Sequence, residues 1–155
     1  LIHLLSHASG FRGMAGGQML DLSALEQRFN LGDVRQMQDM KTGALIQAAA
    51  VMGVVAGGGA FALEQAAGRY ADALGFAFQI TDDLLDYDSD PSVLGKPSGR
   101  DAEQGKASAV TLLGLAEARK MAVDLISEAC DFLRPFGEAA NEMIALALFA
   151  IDRDH

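Results

Sequence analysis

The sequence predicts an all-α protein, a helical bundle, on three observations. Apolar residues recur at three- and four-residue spacing almost throughout. Strand-like alternation is nearly absent, and β-branched residues are sparse while Ala and Gly abound. Only three prolines and no tryptophan occur in 155 residues, which is one domain's worth of chain and enough to bury a sizeable core. The periodicity gives helices at roughly 1–23, 33–56, 60–89, 109–134 and 138–152.

Each boundary has a local cause. The first helix opens on the apolar run "LIHLL" with no cap, as if the chain were entered in mid-helix. Asn30 to Asp33 and the triplet Gly57-Gly58-Gly59 separate the first three helices. The third, of about 30 residues, would be about 45 Å long. From Asp88 to Ser108 the chain carries Pro91, Pro97, Gly95, Gly99 and Gly105, a predicted loop of the length that usually serves function. Pro135 with Gly137 closes the fourth helix. Glycines 13, 16 and 17 suit close helix–helix contact.

Composition narrows the function. A net charge of −9, from 21 acids against 12 bases, argues against nucleic acid or an anionic membrane as partner. Cys130 is the only cysteine, so neither a disulfide framework nor a Cys-based zinc site is expected, and a reducing, cytoplasmic setting fits. From Ala48 to Leu63 sixteen residues carry no polar side chain. A membrane span needs about 20 predominantly apolar residues. This stretch is shorter, Ala-rich and broken by glycines, and reads as buried core.

The stretch with the most chemistry is "FQITDDLLDYDSDPSVLGKPSGRD", Phe78 to Asp101. Gln79, Asp82, Asp83 and Asp86 stand at i, i+3, i+4 and i+7, within an arc of about 100° of one helix. Phe78, Leu84, Leu85 and Tyr87 are left for the core, and Gly68 and Gly75 leave room along the polar line. Like charges at this spacing destabilise a helix, so a cation is expected to offset them. A solvated acidic stripe is the plain alternative. The loop that follows, however, brings Lys96, Arg100 and Lys106. Mg²⁺ takes one or two carboxylates plus substrate phosphates, and lysines meet phosphates as point charges. The pattern therefore reads as a site for a metal–diphosphate complex.

Three competing motifs fail. Asp86, Asp88 and Asp90 begin like a calcium-binding EF-hand, but prolines occupy the required Gly and Glu positions. "GRDAEQGKA" has one residue too many for a P-loop and Ala107 in place of Ser or Thr. His3 and His7 in "HLLSH" lack the Glu of a zinc protease and count as helix-face residues.

With these residues in place, "FQITDDLLD" followed by "LGKPSGRDAEQGK" resembles the second aspartate-rich region of trans-isoprenyl diphosphate synthases, the farnesyl and geranylgeranyl diphosphate synthases and their relatives. "GMAGGQMLDL", "MKTGALIQAA", "TLLGLAEAR" and "IDRDH" extend the likeness across essentially the whole chain. The resemblance implies a class I isoprenoid synthase fold. It implies a prenyltransferase joining an allylic diphosphate to isopentenyl diphosphate through an allylic carbocation, with Mg²⁺ (or Mn²⁺ in its place) as cofactor. By the same resemblance Asp82 would hold the metal directly, Asp83 and Asp86 through water, and Asp101 from behind. Lys41, Lys96 and Lys106 would bind diphosphate, and Gln18 would lie near the allylic substrate. Thr42 and Gln79, with the Lys41 backbone, would face the developing cation. Taken singly, Lys41 is also an ordinary snorkelling surface lysine, Thr42 a residue bonded to its own helix and Gln18 a helix bridge.

The family's first aspartate-rich motif and the basic residues before it have no counterpart; Asp21 and Glu26 do not match. The chain is therefore expected to be the C-terminal half of a synthase, inactive alone and needing the other half or a companion chain, in an enzyme expected to be a homodimer. Ser108-Ala109-Val110 also departs from the relatives' Thr followed by Pro. Three readings stay open: such a prenyltransferase, a non-catalytic subunit of a heteromeric synthase, and a terpene-cyclase-like or plain metal-binding helical protein.

Overall fold

The structure, a computed structural model, describes residues 1–24, 29–88 and 107–152. Among the described residues every regular element is helical. The predicted loop, with Lys96, Asp101 and Lys106, lies outside them except at its ends.

The predicted first helix is two. α1 (Ile2–Ser9) stops at Gly10, whose backbone is extended, and α2 (Met14–Ser23) starts after Gly13. A Cβ on Gly13 would stand 2.9 Å from the Ala8 Cα, so the turn between them closes only without a side chain. α3 (Leu31–Gln38) begins in a reciprocal capping box: the Asp33 N–H donates to Asn30 Oδ1 at 3.1 Å, and the Asn30 N–H to Asp33 Oδ2 at 2.9 Å. The next helix, expected to be continuous, instead contains a π-turn at Asp39–Gly43, where the Ala44 N–H reaches back five residues to the Asp39 carbonyl. One residue beyond α-helical spacing is thereby inserted, a feature common at functional sites. α4 (Ala44–Ala56) ends in the glycine triplet, Gly58 having φ +70.

α5 (Phe61–Asp88) runs 28 residues, about 42 Å. α6 (Ala109–Leu113) is capped by Ser108, whose Oγ accepts the Thr111 N–H at 3.2 Å. Gly114, at φ +83, then breaks the predicted fourth helix and hands over to α7 (Leu115–Phe132). A 3₁₀ stretch (Arg134–Ala140) opens with Pro135 and turns at Gly137, φ +56, before α8 (Asn141–Asp152).

α5 is the axis of the bundle, packed on α7 and α4 and touching α3, α6, α8 and the π-turn. On α7 the buried face is Ala118, Ala122, Ile126 and Ala129, at intervals of four, four and three, the spacing of one helix stripe. Opposite lie Phe76, Ile80 and Leu84 at one end of α5 and Tyr70, Leu74 and Ala77 at the other. Small residues on α7 bring the two axes close. The Tyr70 hydroxyl donates to the Met143 carbonyl at 2.9 Å and ties α8 to the same core, its own pKa pushed up to about 12 by burial and the neighbouring Cys130.

Three expectations change. Tyr87 is 52% exposed, because it follows Leu84, the last buried residue of α5. Gly75 leaves no open room: a Cβ there would stand 3.3 Å from the Gly43 Cα, so it allows the π-turn to touch α5, and Gly68 lies in ordinary contact with Val51. The apolar stretch Ala48–Leu63 is not core throughout. Ala48 is its one buried residue, since α4 lays one side on α5 and α1 and turns the other outward, and Phe61 is 69% exposed. Among the described residues no helix is long and apolar enough to cross a membrane.

Ile126 is 1% exposed within the core shared by α5, α7 and α8. Ile126→Ala is expected to lower unfolding free energy by about 3 kcal/mol, from lost burial plus the cavity left behind, as read in a urea titration.

Candidate active site

The carboxylate face of α5 is answered by the π-turn. Asp82, Asp83, Asp86 and Gln79 line a cavity of about 330 Å³ together with Lys41, Asp21, Met37, Gln38 and Ser108. Among the described residues Lys41 is the basic side chain that lines this cavity with the acidic stripe. The insertion at Asp39–Gly43 sets Lys41 within the kinked segment, and two glycine contacts hold that segment in place. On one side Gly17 of α2 abuts it so closely that a Cβ would stand 2.6 Å from the Lys41 Cα. On the other, Gly75 of α5 meets Gly43.

A charged clamp fastens the same turn to α5. Arg35 Nε donates to Asp39 at 2.7 Å, Arg35 Nη2 donates to Asp72 at 2.7 Å, and the guanidinium lies 4.2 Å from the Phe76 ring centroid. Burial works to lower the Arg35 pKa, but the hydrogen bonds and charges of Asp39 and Asp72 more than offset it, and the value rises. For Asp39 burial prevails: its pKa rises although Arg35 pulls it down. The pair thus holds position more than it adds stability, as half-buried ion pairs commonly do.

The residues singled out in the sequence divide into three groups. Lys41, Gln79, Asp82, Asp83 and Asp86 meet at one cavity. Gln18, half-buried on α2, and Thr42, half-buried in the π-turn, do not line it. Lys96, Lys106 and Asp101 lie outside the described residues. Asp21 and Gln38 are additions. Lys41 Nζ donates to Asp21 Oδ2 at 2.6 Å, and Gln38, 6% exposed, keeps a side-chain carbonyl without a hydrogen-bond partner. The signal for Asp21 lay in "GGQMLD", where Gly17 and Asp21 are four apart and share a helix face.

Among the described residues no three His, Cys, Asp or Glu side chains converge as a ready metal cage. The donor set still fits Mg²⁺, which is satisfied by one or two carboxylates and completes its shell with water and phosphate oxygens. Two larger cavities, of about 430 and 600 Å³, meet along α4 and α5 away from this face. The first is bordered by His3, His7 and Arg12; the histidines sit exposed on α1 as helix-face residues.

An axial helix presenting an amide and three carboxylates toward a lysine-bearing π-turn sits in an all-α bundle that solved isoprenyl diphosphate synthases, of the class I isoprenoid fold, share. Residues 1–140 match the polyprenyl synthetase family model, and the chain belongs to that family. It is 41% identical over 152 residues to the farnesyl diphosphate synthase of Escherichia coli (strain K12), covering 97% of this chain and 50% of that protein. An FPP/GFPP synthase from Zymomonas mobilis superposes with a TM-score of 0.84 at 34% identity, over 96% of this chain and 49% of the other. A geranyltransferase from Helicobacter pylori, solved with magnesium and isoprenyl diphosphate, superposes with a TM-score of 0.77 at 32% identity, over 97% of this chain and 49% of the other. The chain spans about half the length of the curated relatives it matches.

The clamp gives a stability test. Arg35→Ala strips a partner from Asp39 and Asp72 and removes the stacking on Phe76, and is expected to cost about 2 kcal/mol. Asp39→Asn should cost less. The folded pKa of Asp39 is raised, so its contribution to stability is full below the unfolded pKa and is lost as pH rises through the folded one. The melting temperature of Asp39→Asn relative to wild type should therefore be more favourable near pH 7 than near pH 3, measured by circular dichroism.

Proposed function

We propose that this chain forms one wall of the active site of a trans-prenyltransferase, which condenses an allylic diphosphate with isopentenyl diphosphate to a short- or medium-chain product such as farnesyl diphosphate. One observation carries the proposal. Within a polyprenyl synthetase chain, Lys41 and Gln79 share a cavity with Asp82, Asp83 and Asp86, the groups needed to hold a diphosphate and to face a cation beside it.

In this reading Asp82 would hold Mg²⁺, or Mn²⁺ in its place, with Asp83 and Asp86 placed to accept hydrogen bonds from water around it and Asp101 to support them. The metal, when bound, supplies positive charge to the departing diphosphate oxygens. Lys41, joined by Lys96 and Lys106, grips the diphosphate so that negative charge developing there as the allylic C–O bond breaks meets ammonium groups already in place. Gln79 turns its side-chain oxygen toward the positive charge left on the allylic carbon, while Thr42 and Gln18, which do not line the cavity, are assigned to the same substrate by resemblance to the family. The isopentenyl double bond then forms the new C–C bond, and the cation that results restores a double bond by giving a proton to the released diphosphate. No side chain acts as nucleophile, so the apolar helices serve chiefly to keep water from the cation. A complementary half bearing another aspartate-rich motif, from further chain or a companion, completes the site, and the assembled enzyme works as a cytoplasmic homodimer.

The test is Mg²⁺-dependent transfer from labelled isopentenyl diphosphate by the intact protein with any companion chain. Asp82→Ala should lower kcat by about 10²–10³-fold, the scale of a lost electrostatic group, and chelation by EDTA should abolish turnover until Mg²⁺ is restored. Lys41→Ala should impair transfer too. Transfer that survives Lys41→Ala intact would overturn the role given to Lys41, and cyclisation without transfer would favour a terpene cyclase.

A further inference from the structure

We infer that Asp21 is a positioning residue for Lys41: it anchors the ammonium from behind, in the orientation that receives the diphosphate. The inference rests on the reading of the cavity as a diphosphate site and goes beyond it. The Lys41 Nζ to Asp21 Oδ2 distance is 2.6 Å, short for an ammonium–carboxylate hydrogen bond. The two side chains come from elements 20 residues apart in sequence, so their meeting is tertiary and not a helical neighbour effect. It is also built in from the backbone. Gly17, one helical turn before Asp21 on the same face of α2, lets that helix come against the π-turn at Lys41 itself. A side chain at residue 17 would push α2 away and lift the carboxylate off the ammonium.

The Asp21 side chain is 11% exposed and that of Lys41 33%, so the carboxylate is the more deeply buried partner and the lysine the more accessible one. An ammonium has three donors. One is directed at Asp21 Oδ2, and two remain for phosphate oxygens. A lysine on a flexible four-carbon stem gives up much rotamer freedom on binding an anion. An anchor that fixes the stem beforehand removes part of that cost without consuming the cation, which distinguishes Asp21 from a carboxylate that merely competes for it.

A double-mutant cycle tests this, with inorganic diphosphate plus Mg²⁺ as the probe and isothermal titration calorimetry on the intact protein as the readout. Asp21→Ala should weaken diphosphate binding about tenfold, the size of one well-placed charge-assisted hydrogen bond. In a Lys41→Ala background the same change should have a clearly smaller effect, because Asp21 acts on the diphosphate through Lys41. In turnover assays Asp21→Ala should raise KM for the allylic diphosphate more than it lowers kcat. Should the alanine variant fail to fold, Asp21→Asn, with the same shape and no charge, carries the cycle with a smaller loss in the same direction. Unchanged or tighter binding on Asp21→Ala, or an equal loss in both backgrounds, overturns the anchor while leaving the diphosphate site standing. Wild-type protein that does not bind diphosphate with Mg²⁺ overturns both.

Discussion

The candidate site depends on how closely α2 and α5 approach the π-turn that carries Lys41. The π-turn Asp39–Gly43 lies between α2 and α5, and both contacts are made by glycines, Gly17 on one side and Gly75 on the other. A methyl group at either position would force the turn away by a few tenths of an ångström or more, and interiors packed at crystal-like density transmit such shifts. Glycine in a helix costs about 1 kcal/mol relative to alanine. The cost is offset here by a cation placed opposite a row of carboxylates. The Arg35 clamp to Asp39 and Asp72 adds a second fastening on the same turn. The site is thus set by backbone proximity first and by side-chain charge second.

The electrostatics follow from that placement. Asp82, Asp83 and Asp86 on one arc of α5 repel one another, and in water each such pair would cost only tenths of a kcal/mol. Among the described residues the cavity lining sets Asp21, Asp82, Asp83 and Asp86 beside Lys41. In the proposed function a divalent cation arriving with an anion would answer the carboxylates while the lysine answers the phosphate.

Much of the fold and the carboxylate face was legible in the sequence, because both rest on helical periodicity. The Asp82–Asp83–Asp86 arc, the breaks at Asn30 and the glycine triplet, and the turn at Pro135–Gly137 are local properties. The rest was not, for identifiable reasons. A π-turn inserts one residue into an otherwise apolar helical pattern, and a window wide enough to see the helix averages the insertion away. Gly10 and Gly114 look the same in sequence as Gly53 or Gly68, yet the first two end helices and the last two do not. Tyr87 carries a core-type residue one turn past the point where the core ends. Asp21 matches no metal-binding motif; its spacing from Gly17 places it on the close-packed face of α2, but its partner Lys41 lies 20 residues away in sequence, beyond the reach of any spacing rule. Likeness to other synthases, not composition or periodicity, brought Lys41, Thr42 and Gln18 forward.

The most direct measurement is a crystal structure of the intact protein with Mn²⁺ and inorganic diphosphate, the metal located by its anomalous scattering. The account predicts Mn²⁺ against Asp82 in the cavity between α5 and the π-turn. It also predicts a diphosphate oxygen within hydrogen-bonding distance of Lys41 Nζ. Metal and diphosphate bound instead in the cavity beside His3, His7 and Arg12, or diphosphate bound with Lys41 turned away from it, would contradict it.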